Sequence, residues 1–71
     1  IVETEQFLRR WTFTEYDSLV QSTEVKAGTY RNLLDKFTEV DLSSLVMQDF
    51  KSDVVTWGIM DQQRADEVWD N

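Results

Sequence analysis

A chain of 71 residues with 14 acids, seven bases, no histidine and no cysteine is one domain of net charge −7. The missing side chains exclude a serine–histidine triad, a cysteine nucleophile, a disulfide and the usual zinc site. The acidity sets the surface against nucleic acid and anionic membranes.

Three Trp, four Phe and two Tyr supply enough apolar area for a core, while two glycines and no proline favour helices over a turn-rich β fold. Glu3 and Glu5 precede the apolar cluster Phe7, Leu8 and Trp11, which reads as a short helix with acids in its first turn. Thr12 and Glu15 then stand at capping-box spacing, and Trp11 and Tyr16 at the spacing of the accompanying hydrophobic staple. The helix they open carries Tyr16, Leu19 and Val20 inward and ends near Ser22-Thr23. From Ala27 to Phe37 the helical period is clearest, and it predicts Tyr30, Leu33, Leu34 and Phe37 at the centre of the core.

Phe37-Thr38-Glu39-Val40-Asp41-Leu42 repeats the start signal, so Thr38 is expected to cap a helix carrying Leu42, Leu45, Val46 and Phe50. Continued through Trp57, that helix would set Asp49 and Asp53 within its apolar stripe, and a buried unpaired carboxylate is costly. A break near Ser52-Asp53 is therefore expected, with a short turn ending at Gly58 as a C-terminal cap. Asp61 can cap a last helix bearing Ala65, Val68 and Trp69. The sum is an all-α bundle of four to five short helices. The alternative is α+β, with Val54-Val55-Thr56-Trp57 as a strand in a two-stranded ribbon of residues 11–14 and 54–59.

Chemistry-bearing patterns are few. Asp61, Gln63, Asp66 and Glu67 hold oxygen ligands, but no window has the spacing of a calcium loop, and Gly58 precedes the cluster instead of sitting inside it. Asp49 and Asp53 sit at i,i+4 like a carboxylate pair, in a chain too short for a substrate cleft. Thr12, Thr14 and Thr38 each have an acid three residues on, which capping explains without a kinase. Arg9 and Arg10 are expected to pair with Glu3 or Glu5.

Asp17-Ser18-Leu19 resembles the phosphopantetheine attachment motif of acyl and peptidyl carrier proteins. The resemblance implies a small acidic four-helix fold with the prosthetic group on Ser18. That family has a glycine two residues before the motif, where this chain has Glu15, and a longer segment ahead of the serine. Asp41-Leu42-Ser43-Ser44-Leu45 is a second approximate match and also lacks the glycine. On the residues alone, Ser18 reads as an ordinary helix position.

Residues 39–71 hold eight acids against two bases, whereas residues 1–38 hold six against five. The expected function is a non-enzymatic protein–protein interaction or assembly module without cofactor or metal. Its partner is a protein, with a basic surface or a second copy of the chain as candidates. Asp61, Asp66, Glu67 and Asp70 would steer that partner, and Trp69 would either anchor it or fold back onto the bundle through Ala65 and Val68. The other readings are an acidic inhibitor that mimics nucleic acid and a carrier domain. A start at Ile1 instead of Met suggests a domain excised from a longer chain, and the lack of cysteine leans to an intracellular place.

Overall fold

The computed structural model describes residues 1–70. Five helices and a two-stranded antiparallel ribbon follow in the order β1 (Val2–Glu3), α1 (Thr4–Arg9), α2 (Phe13–Gln21), α3 (Val25–Lys36), β2 (Glu39–Val40), α4 (Leu45–Thr56) and α5 (Gln62–Val68). The helical bundle is as expected, and no helix among the described residues is long and apolar enough to cross a membrane.

Local signals set several boundaries. Thr12 Oγ1 accepts the Glu15 amide at 3.1 Å while the Glu15 carboxylate accepts the Thr12 amide at 2.8 Å, a complete capping box at the start of α2. Trp11 meets Tyr16 edge-on with ring centroids 6.3 Å apart, the staple that goes with it. Gly58 has φ +75°, the left-handed conformation that costs glycine nothing. Its amide donates to Val55 O and the Ile59 amide to Val54 O, the paired closing bonds of a Schellman motif at the end of α4. Asp61 Oδ1 accepts the Arg64 amide at 2.8 Å and caps α5 as expected.

Four expectations are corrected. The ribbon joins residues 2–3 to 39–40, with Val2 opposite Val40 and Glu3 opposite Glu39, and not residues 11–14 to 54–59. Thr12 is occupied as a cap, and Val54-Val55-Thr56 continue α4. Val54 falls on the buried stripe of Met47 and Phe50, and this packing outweighs β propensity. Helix α4 also does not break at Asp53. The half-buried Asp53 carboxylate accepts the Tyr30 hydroxyl at 2.5 Å and lies 3.5 Å from Lys26 Nζ, so it is neither bare nor unpaired, while Asp49 is exposed. Thr38 caps nothing. Helix α4 opens three residues after Leu42, with Ser44 Oγ accepting the Met47 amide at 3.4 Å, and Asp41 turns its carboxylate onto Ser43. Finally, Phe37 is 52% exposed and Leu33 half-buried, so only Tyr30 and Leu34 of the predicted four are buried.

The core centre is a group of rings drawn from both ends of the chain. Phe7 of α1 and Phe50 of α4 each meet Trp69 edge-on at 5.1 Å, and Trp11 tilts against Phe50 and Trp69 at 5.7 and 5.9 Å. Tyr30 stacks on Phe50 at 4.4 Å. Edge-on and offset pairs suit the ring quadrupoles and add about 0.5–1.5 kcal/mol each beyond area. Around this group two arginines join the termini. Arg10 donates to the carbonyls of Val68, at 3.0 Å, and Asp70. Arg64 holds Glu15 through two bonds of 2.9 and 3.0 Å and donates to Arg10 O at 2.6 Å.

Candidate functional site

The C-terminal residues expected to meet a partner are spread among other tasks. Trp69 is 5% exposed, and its indole N–H donates to Met47 O at 2.8 Å, so the folded-back reading holds and the anchor reading is corrected. A ring this enclosed by Phe7, Phe50 and Trp11 has no face left for another molecule. Asp61 is an N-cap. Asp66 pairs with Lys51 Nζ at 2.7 Å and Gln62 at 3.0 Å, and the Lys51 bond holds its carboxyl below the ordinary range. Glu67 and Asp70 are exposed.

Elsewhere, Glu15 is held below the usual carboxylate range, first by the Arg64 guanidinium. Burial pushes the Tyr30 hydroxyl pKa up, and the Asp53 carboxylate adds to it. Both groups are held by partners within the fold, Glu15 by Arg64 and Tyr30 by Asp53. Arg9 pairs with Glu5 at 2.6 Å, as its spacing predicts. Ser18 lies in mid-α2 with its hydroxyl donated to Thr14 O at 3.0 Å. No group of three or more acids among the described residues is placed to hold a metal ion.

A surface depression with apolar side chains at its edge lies where α3 ends and α4 begins. Phe37, 52% exposed, Val46, 41% exposed, and the half-buried Leu33 line a shallow groove of 160 Å³. Buried Val40 and Met47 form its floor, and Glu39 and Asp41 stand on its rim.

Thr4 positions it. This buried residue donates its hydroxyl to Phe37 O at 2.7 Å and its amide to Thr38 O at 2.9 Å. Both carbonyls leaving α3 are thereby pinned to the start of α1. The chain goes extended at Phe37 (φ −107°, ψ 137°), which turns its ring out of the helical stripe and into solvent. The hydrophobic stripe of α3 had marked Phe37 as core. A signal against that is present: Ala27, Tyr30 and Leu34 already fill one face, and Leu33 and Phe37 fall about 90° and 50° to one side of its centre.

Glu39 also borders a second, wider cleft of 730 Å³ on the other side of β2. Leu8 and Leu34 line that cleft, and Glu3, Glu5 and Asp35 stand around it with Glu39. Its single base, Arg9, is taken by Glu5. Compared with protein-family models, curated proteins and solved structures, the chain has no match in any of the three.

Proposed function

We propose that this domain is a non-enzymatic protein-interaction module that docks an apolar segment of another protein in the groove between Phe37 and Val46. The observation that carries the reading is that groove, with two large apolar side chains held open over a floor of core residues. Single exposed apolar residues are ordinary, whereas a set converging on one depression with a polar rim fits a binding face. The scaffold suits the role, because a groove fixed by a helix end, a ribbon and a helix start needs little ordering when a ligand enters.

The test is a peptide-library selection on the immobilised domain, counter-screened on a Phe37→Ser/Val46→Ser variant whose fold is verified by circular dichroism. Peptides that use the groove lose about tenfold or more in affinity for the variant. A selection with no binders, or binders that hold both proteins equally, overturns the reading.

A further inference from the structure

We infer that the segment docked here is basic as well as apolar, its anchors seated in the Phe37–Val46 groove and its cations crossing Glu39 into the acidic cleft behind β2. This rests on the docking role proposed above and specifies the partner's chemistry.

The two depressions adjoin at Glu39, which lines both, so a single extended segment can reach from one to the other. The groove end supplies apolar floor and the cleft end supplies carboxylates: Glu3, Glu5, Asp35 and Glu39 against Arg9 alone. A second copy of the chain is a poor occupant. At net charge −7, a face shared between two copies would set Glu39 and Asp41 near their own equivalents. A segment with apolar residues toward one end and basic residues toward the other complements both depressions.

The ribbon carries a second sign of the same chemistry. Glu3 stands directly opposite Glu39, and like charges at opposed strand positions destabilise a pair. Lysine or threonine at either position would make a better ribbon, so the arrangement favours something other than the free fold. A cation laid between the two carboxylates turns the repulsion into attraction. The inference thus requires an opposed effect of one change: neutralising the pair strengthens the free domain and weakens the complex.

Three synthetic peptides of about twelve residues, with apolar positions at helical spacing, test it. One carries Leu and Lys, one Leu and Gln, one Lys and Gln without Leu, and binding is followed by anisotropy of a label on the peptide. The Leu/Lys peptide binds, the other two bind at least about tenfold more weakly, and its affinity falls steeply from ~0.05 to ~0.5 M salt. Phe37→Ser abolishes binding. Glu3→Gln/Glu39→Gln raises the thermal midpoint by about 1–4 °C and weakens the Leu/Lys peptide about three- to tenfold.

If the Leu/Gln peptide binds as well as Leu/Lys, the docking groove stands and the basic partner is wrong. Equal binding of the Lys/Gln peptide, indifferent to Phe37→Ser, marks unspecific attraction to an acidic protein and overturns the inference. A double Gln variant that binds unchanged removes the acidic path. If no peptide binds and Phe37→Ser changes nothing, the docking role itself fails.

Discussion

Replacing Trp69 by alanine should bring this domain close to unfolding. The indole is 5% exposed and touches Phe7, Trp11 and Phe50, so nearly all of its surface is removed from water on folding. About 200 Å² at ~25 cal/mol per Å² gives roughly 5 kcal/mol, and residual compactness of the denatured chain lowers that to ~3–4. The bond to Met47 O adds about 1 kcal/mol, and the methyl group left by alanine returns a little. A cost of about 3–5 kcal/mol results, in a domain whose whole stability should be ~4–10 kcal/mol on a per-residue scale. Urea melts followed by far-UV circular dichroism measure it. Where Trp69→Ala is already unfolded, Trp69→Phe provides the graded case, keeping a ring but losing the N–H, at about 1–2 kcal/mol. A loss below about 1 kcal/mol for the alanine variant would refute the enclosure of this ring.

Thr12→Ala should cost about 1 kcal/mol in the same melts, because the hydroxyl closes the α2 capping box, whereas Thr38→Ala should stay within about 0.5, since Thr38 contributes only its carbonyl. Glu15→Gln should flatten the acid side of the stability–pH profile. Its folded carboxyl is lowered by Arg64, so the stabilisation is complete above the unfolded value near 4.5 and vanishes as pH falls through the lower folded value. An unchanged profile for Glu15→Gln would show that other groups control that limb. Gly58→Ala should cost about 1–2 kcal/mol by thermal melting through the +75° φ alone, as a Cβ there meets nothing within 4 Å.

What the sequence revealed was whatever is settled within a few residues. The Thr12 box, the Asp61 cap and the Gly58 end are each closed by partners at most five positions away, so spacing alone could announce them. Thr38 shows the limit. Its word, Phe-Thr-Glu-Val-Asp, nearly matches Phe-Thr-Glu-Tyr-Asp at 13–17, yet the second copy opens no helix, because Thr4, 33 residues earlier, holds the carbonyl of Phe37. Asp53 failed for the same reason in reverse. Read alone it breaks a helix, and Tyr30 and Lys26, 23 and 27 residues away, make it tolerable. Phe37 and Trp69 are both aromatics at the C-terminal ends of helices. Which one is enclosed depends on where Phe7 and Phe50 arrive, and no local pattern carries that information. The groove was missed because it follows from the same displacement of Phe37.

Joining the two ends through Arg10 and the ring group has a kinetic side. Helix α1 has six residues and α5 seven, too few to persist in water before they dock. Neither can therefore template the other. The bond from Arg10 to Val68 O spans 58 positions, and closing a loop of that length costs about 3–4 kcal/mol of chain entropy beyond a constant term. The α2–α3 hairpin and α4 can form from nearby contacts first, with Phe50 and Tyr30 already stacked. The termini then arrive last, and together. Substitutions at Phe7 or Trp69 should consequently speed unfolding far more than they slow folding, and amide hydrogens of α1 and α5 should exchange at one common rate, as a single cooperative unit assembled from opposite ends of the chain.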